Sequence, residues 1–315
     1  MKALVLDADS AFRITELPEP EPGPGQVAVR VEYAGVQWGD VLVRDGHFPT
    51  SRPFVPGFEA GGRIIAVGDA VAEHRVGEQV AALTQSGAYA QVVIAPSVLA
   101  VKTSGLDARS AAAFGWVAPT AYDLINTVTR LGPGESVLIH AAAGGVGTLA
   151  CQFAAAAGAA RIVGVVGNPD HLEHAHRFGY HQVLTRQQFP EALGDELFDV
   201  ILDPIGGSTR TRNLEHLAPH GRIAVYGNIA TFEPVTVSAN DLLTRGQSLL
   251  TYNSNLLSQT DPEKLARSAE HAMALVADGT VRLDITSEYE FAATETAIAN
   301  LADGTSTGKS IVRIA

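Results

Sequence analysis

A single cysteine, Cys151, stands in a chain of 315 residues. No intrachain disulfide can form and no cysteine-rich metal site can be assembled. A lone thiol fits a reducing compartment, so a cytoplasmic location is expected. Nowhere do eighteen apolar residues run together, which argues against a membrane-spanning helix. The amino-terminal run Met1-Lys2-Ala3-Leu4-Val5-Leu6 meets Asp7 too soon for a signal peptide. Positive charge is scarce as well. With 22 Lys and Arg against 34 Asp and Glu the formal charge is −12, and the pI is about 5.2. Such a field repels phosphate backbones and no basic run offsets it, so no nucleic-acid partner is expected. Repeats, low-complexity linkers and long charge runs are missing too.

What the chain does contain suits a folded α/β protein. It is 46% hydrophobic with 31 glycines, enough to bury a substantial core. The first third reads as short strands: Met1–Leu6, Gln26–Tyr33, Gly61–Val67, Gln79–Leu83 and Ala90–Ala95, separated by Gly and Pro turns. That texture predicts a compact, barrel-like β domain. Ser110–Leu124 reads as helix with a break at Pro119. Strand and helix then alternate: strands at Ser136–His140, Ile162–Val166, Gln182–Leu184, Asp199–Asp203, Arg222–Tyr226 and Ser248–Tyr252, with helices over 147–157 and 169–178. This succession predicts a doubly wound parallel sheet. The tail offers a helix over Pro262–Asp278 capped by Asp261, and a last strand at Ile311–Ile314.

The sharpest signal is the turn Ala142-Ala143-Gly144-Gly145-Val146-Gly147. A buried strand enters it and a helix leaves it. Gly144 lets the backbone approach a pyrophosphate and Gly147 lets the helix pack on the strand. The helix N-terminus then offers unpaired N–H groups and the positive end of a dipole. The pattern departs from G-x-G-x-x-G at Ala142. A purely structural glycine turn is the competing reading.

The tip of the second strand selects the dinucleotide, because an NAD site carries an acid there for the ribose hydroxyls. Here the tip is Val166-Gly167-Asn168-Pro169, with Asp170 arriving late. The missing acid favours a 2′-phosphate, hence NADPH. His171 and Arg186 are the candidate cations for it, with a solvated surface role as the alternative for both.

His140-Ala-Ala-Ala-Gly-Gly-Val-Gly147 resembles the medium-chain dehydrogenase/reductase superfamily in its zinc-free quinone oxidoreductase (zeta-crystallin-like) branch. So do Ala34-Gly-Val-Gln-Trp-Gly-Asp40 with Arg44 and Gly46, Pro56-Gly-Phe-Glu-Ala-Gly61, Gly87-Ala-Tyr-Ala90, Asp203-Pro-Ile-Gly-Gly207 and Gly221-Arg-Ile-Ala-Val-Tyr-Gly-Asn228. The likeness spans essentially the whole chain in order. It implies a GroES-like β-rich catalytic domain in two parts (1–118 and 255–315) around a Rossmann NADP-binding domain (119–254), with the active cleft at their junction. It also implies a homodimer formed by edge pairing of the last Rossmann strands.

The same resemblance marks cofactor positions. Thr120 corresponds to the residue against the nicotinamide, Gly145 and Val146 to the pyrophosphate turn, Gly167, Asn168 and His171 to the 2′-phosphate loop. Tyr226, Gly227 and Asn228 correspond to the stretch beside the nicotinamide, and Lys309 lies near the tail's return to the cleft. The zinc branch does not fit: Gln37 stands where its first Cys ligand would be, and Gly57-Phe58-Glu59 replaces Gly-His-Glu. Phenylalanine cannot ligate metal, so no metal is expected. Two departures from the branch stand out. His171 occupies a position usually Lys, and Gln37 one usually Asn.

Catalysis of hydride transfer to a quinone needs alignment, exclusion of water and a donor for the developing oxyanion. Gln37 is either that donor or a satisfied polar residue of a turn. Asp40 either orients the loop, contacts the nicotinamide ribose, or caps a helix. Tyr122 and Tyr33 are candidate general acids, with plain packing as the alternative. Glu59 is expected to be a structural partner for an arginine, Arg44 or Arg63. His171, His174, His176 and His181 read as a surface group and Cys151 as inert core. Trp38 and Phe48 either line a pocket or simply pack. The function expected is an NADPH-dependent, zinc-independent quinone reductase. An enoyl or enone reductase and a non-catalytic NADPH-binding protein are the alternatives.

Overall fold

The computed structural model describes residues 1–48 and 50–315. The chain forms two compact units, Met1–Pro119 with Ser254–Ala315, and Thr120–Asn253.

In the first stretch a small hairpin joins β1 (Lys2–Leu6) and β2 (Phe12–Glu16). β3 (Gln26–Gly35) is followed by the short helix α1 (Trp38–Arg44), then β4 (Glu59–Val67), β5 (Gln79–Leu83), β6 (Val92–Pro96) and β7 (Ala100–Lys102). β3 pairs antiparallel with both β4 and β6 and so lies at the centre of a seven-stranded sheet. Val27, Val29 and Val31 are fully buried along it and anchor a core with Ile64, Val80, Ala82 and Tyr89. The Ala-rich helix α2 (Ala108–Phe114) stops at Gly115, and α3 (Val117–Tyr122) starts two residues on. The helix break therefore falls at Gly115 and not at Pro119. Pro119 sits in the first turn of α3, where its missing N–H costs nothing.

The middle of the chain is β8 (Ser136–His140), α4 (Gly145–Ala156), β9 (Arg161–Val166), α5 (Leu172–His176), β10 (Gln182–Thr185), β11 (Phe198–Asp203), α6 (Gly207–Glu215), β12 (Leu217–Val225), α7 (Ala239–Arg245) and β13 (Ser248–Thr251). The six strands are all parallel, in the spatial order β10-β9-β8-β11-β12-β13. Numbered within the unit this is 3-2-1-4-5-6, the doubly wound Rossmann order, whose direction of winding reverses between β8 and β11. Val137, Leu138 and Ile139 of β8 are wholly buried, as helices on both faces require.

The tail contributes α8 (Ser254–Thr260), α9 (Pro262–Ala277), β14 (Ile285–Glu290), α10 (Thr294–Ala302) and β15 (Lys309–Arg313). Asp261 caps α9 by accepting from the Lys264 N–H at 3.1 Å, and Leu265, Ala269, Ala272, Met273 and Val276 form its buried stripe. β15 pairs antiparallel with β3 and parallel with β14, so the tail completes the first unit's sheet. Among the described residues no helix is long and apolar enough to cross a membrane.

Candidate cofactor and active-site residues

The glycine turn lies where the winding of the parallel sheet reverses. Gly144 is the N-cap of α4 and supplies no side-chain acceptor, so the N–H groups of Gly145, Val146 and Gly147 begin the helix uncapped. An anion is the complement such an end takes. A Cβ on Gly147 would lie 2.4 Å from the carbonyl oxygen of Ala141, so only glycine lets α4 approach the strand end this closely. The departure at Ala142 has a local explanation. Its methyl faces β9 at Gly164, where a second Cβ would lie 2.8 Å away. The room normally left by the first glycine is provided across the sheet instead.

β9 ends at Val166, and no acid occupies its tip. Asn168 accepts from the Asp170 N–H at 3.0 Å and caps the short turn that follows, while Asp170 is exposed. The Arg186 N–H donates to the carbonyl of Val166 at 2.9 Å, fixing Arg186 beside the tip. Its exposed guanidinium comes within 3.1 Å of where a Cβ on Gly167 would be, and it forms no ion pair among the described residues. His171 is half-buried on the same turn. Bare N–H groups on α4 and an open cation at an acid-free tip are the donor set that a dinucleotide with a 2′-phosphate needs.

At the neighbouring strand end, Asp203 is fully buried at the tip of β11. Its Oδ1 accepts from the N–H groups of Ile205 and Gly206 at 2.7 and 3.2 Å, and its Oδ2 from Arg210 Nε at 2.8 Å. Arg210 also donates to the Gly227 carbonyl at 2.8 Å and to Asn228 Oδ1 at 3.2 Å. Thr120 and Asp123 share one phenol: the Tyr252 hydroxyl donates to Asp123 Oδ2 at 2.7 Å, and the Thr120 hydroxyl hydrogen-bonds the phenol oxygen of Tyr252. Burial and the Asp123 charge hold the Tyr252 proton on well above neutral pH. The segment Asp123–Val128 is a π-helix, a form common at functional sites. Tyr122 packs edge-on to Phe153 at 5.7 Å, and burial raises its pKa. Burial likewise holds His140 neutral, against the pull of Asp203.

The first unit holds a buried polar cluster. Glu59 is wholly buried at the start of β4 and Lys309 nearly so at the start of β15, and they form an ion pair. Lys309 also donates to the Val36 carbonyl at 2.8 Å, and the second Glu59 oxygen accepts from the Trp116 N–H at 2.6 Å. A Cβ on Gly115 would sit 1.8 Å from that oxygen, which explains glycine at the α2 terminus. The expected arginine partner of Glu59 is thus corrected. Arg44 pairs with its neighbour Asp45 at 2.7 Å and Arg63 with Glu32 at 3.7 Å. Both stand on exposed or half-buried surface, whereas β15 carries Lys309 into the interior.

Asp40 is buried on the first turn of α1. Its Oδ2 accepts from the Gln37 N–H and from the Tyr89 hydroxyl, each at 2.9 Å, while Oδ1 has no hydrogen-bond partner among the described residues. Burial pushes its pKa up to about 7; the Glu59 charge adds to the rise, and the two hydrogen bonds and Lys309 oppose it. Of the open readings, capping is the one the contacts contain: Asp40 closes the first turn of α1 onto the backbone of Gln37. Trp38 packs on the core and Phe48 is 36% exposed. Burial raises the Cys151 thiol to about 12, which leaves it inert. His181 accepts from the Ile162 N–H at 2.8 Å. Among the described residues no three His, Cys, Asp or Glu gather as a metal site.

The contacts of Lys309 with Glu59, of Arg210 with Asp203 and Asn228, and of Tyr252 with Asp123 were not apparent from the sequence. The first and last join residues 250 and 129 positions apart. Only Arg210, seven positions after Asp203 across a glycine turn, carries a local signal.

Two family models match the chain. One described as an alcohol dehydrogenase GroES-like domain matches residues 23–105, and one described as zinc-binding dehydrogenase matches 145–270. A quinone oxidoreductase of Pseudomonas aeruginosa is 32% identical over 304 residues, covering 93% of this chain and 92% of that protein. A mycocerosic acid synthase-like polyketide synthase of Mycolicibacterium smegmatis is 30% identical over 93% of this chain, which spans 14% of that much longer protein. The quinone oxidoreductase of Thermus thermophilus, crystallised alone and with NADPH, superposes with a TM-score of 0.84 at 31% identity, covering 99% of this chain and all of that one.

Proposed function

The chain belongs to the medium-chain dehydrogenase/reductase family, and from that premise we propose that it is an NADPH-dependent, zinc-independent reductase of quinones or similar conjugated carbonyls. The observation that carries the reading is the acid-free tip of β9 with the exposed Arg186 guanidinium against Gly167. A carboxylate there would repel a 2′-phosphate, and a free guanidinium attracts it with charge-assisted hydrogen bonds. The likeness to a quinone oxidoreductase solved with NADPH supports the same cofactor.

Bound NADPH supplies the hydride. The chain's own part is to hold, orient and protonate. Gly145, Val146 and Gly147 offer N–H groups to the pyrophosphate, and Gly167, Asn168, His171 and Arg186 surround the 2′-phosphate. Thr120, Tyr226, Gly227 and Asn228 border the nicotinamide. In the first unit, Asp40 closes the turn that carries Gln37, so Gln37 is held as the donor to the acceptor's developing oxyanion. Tyr122 is the remaining candidate acid. Its raised pKa keeps it protonated and able to donate at neutral pH. Gln37 and Phe58 supply no metal ligand, which supports zinc independence. Lys309 is buried and engaged by Glu59 and the Val36 carbonyl, so its part is to hold the framework of the first unit. β13 is an edge strand with Leu249 exposed, and Leu243 nearby is 80% exposed, which suits pairing with a second copy as a homodimer. A cytoplasmic location suits the single buried cysteine.

A second reading, reduction of an activated C=C in an enone or acyl thioester, is favoured by the likeness to part of a polyketide synthase. It requires in addition a proton delivered to the α-carbon. NADPH oxidation with small quinones against enones and enoyl thioesters separates the two. Faster turnover of quinones supports the first reading and of enoyl substrates the second. NADPH binding with turnover of neither supports a non-catalytic role.

A further inference from the structure

We propose that Arg210 is a positioning residue for the cofactor, acting by fixing which end of the Asn228 amide faces outward. The inference rests on the NADPH reading above. β11 and β12 run side by side, with Asp203 opposite Val225. Their pairing continues past the strand ends: Tyr226 donates to the Asp203 carbonyl at 3.1 Å, Ile229 to Pro204 at 2.8 Å and Ala230 to Ile205 at 3.1 Å. The two loops thus form one rigid double layer at the carboxyl end of the sheet, where open α/β sheets bind their ligands.

One guanidinium fastens this layer. Arg210 gives Nε to the wholly buried Asp203, Nη2 to the Gly227 carbonyl and Nη1 to Asn228 Oδ1. Its side chain is 11% exposed, so it is committed to these acceptors rather than to solvent. An arginine has five donors and no acceptor, so the oxygen of an amide, never the nitrogen, must face it. Oδ1 of Asn228 therefore turns inward, close to the Gly206 backbone, where a Cβ would lie 3.2 Å from it. The amide nitrogen turns outward on an exposed residue. The surface beside Gly227 then presents two N–H donors of fixed direction. Their complement is a carbonyl oxygen, and the carboxamide of a nicotinamide provides one.

The test compares Asn228→Asp, Asn228→Ala, Arg210→Met and Arg210→Lys in the full chain, by NADPH fluorescence titration and thermal unfolding. A carboxylate at 228 still accepts from Arg210 but donates nothing. Asn228→Asp is expected to weaken NADPH by about five- to tenfold, the worth of one lost hydrogen bond to a ligand, with the melting temperature held or raised. Asn228→Ala weakens binding similarly, and Arg210→Met does so with a lowered melting temperature. Arg210→Lys recovers melting more than binding, because an ammonium cannot reach all three acceptors. NADPH binding to Asn228→Asp equal to the parent overturns the proposal. Failure of the parent chain itself to bind NADPH is a different outcome, and overturns the cofactor reading on which the proposal rests.

Discussion

The two units treat their polar groups in opposite ways. Around the glycine turn of the Rossmann unit the donors are left open: α4 begins without a side-chain cap, and Arg186 is exposed with no ion-pair partner among the described residues. In the β-rich unit a buried charged pair, Glu59 with Lys309, is spent on itself and on the Trp116 N–H and the Val36 carbonyl. Open donors await a ligand, whereas closed pairs hold a framework. Asp40 departs from this arrangement, buried with one carboxylate oxygen unpartnered among the described residues.

The contrast is testable first where the effect is largest. Lys309→Met leaves a charged Glu59 in the interior, and removing one partner of a buried pair costs about 3–5 kcal/mol. Urea unfolding should show that loss, and adding Glu59→Gln should recover much of it. If Lys309→Met unfolds like the parent, the pair is not a framework.

Asp40 comes next. Its folded pKa of about 7 lies above the unfolded value near 3.9, so between these values the native state holds a proton that the unfolded chain has lost. Its contribution therefore favours folding below about pH 4, declines as pH rises from about 4 to 7, and is level above that. The total is on the order of a few kcal/mol. Asp40→Asn should flatten this part of the stability-against-pH curve. An unchanged curve would mean that Asp40 is ionised in the native state throughout.

Gly147→Ala drives a methyl into the Ala141 carbonyl. It should cost about 1–3 kcal/mol of stability and abolish tight NADPH binding, both read in a thermal-shift titration. The smallest effect is expected at the open side. Arg186→Ala should leave the melting temperature unchanged and raise the KM for NADPH about tenfold, with the KM for NADH unmoved. Equal effects on both cofactors would detach Arg186 from the 2′-phosphate.

The same contrast explains what was legible in the sequence. The Rossmann unit writes itself in continuous segments: a buried strand, a glycine turn and a helix in one run from Ser136 to Ala156, with further strands and helices following to Thr251. Such features depend on neighbours in the chain, so both ends of β8 are legible in the sequence. The β-rich unit depends on distant partners. β2 and β14 are not legible because their exposed or alternating residues carry little apolar signal. In the helical stretch proline is the louder signal for a break, yet the break falls at Gly115, which the Glu59 carboxylate packed on it requires. The partner of Glu59 was invisible for the same reason. Arg44 and Arg63 are near it in sequence, and Lys309 is brought to it only by β15 closing on β3.

The central claim is that the open donors at β9 and α4 serve NADPH. It is tested most directly by steady-state kinetics of the parent chain with NADPH against NADH, at saturating quinone. The account predicts a kcat/KM at least about tenfold higher for NADPH, the scale of one charge-assisted contact. Equal use of the two cofactors, or a preference for NADH, would contradict it.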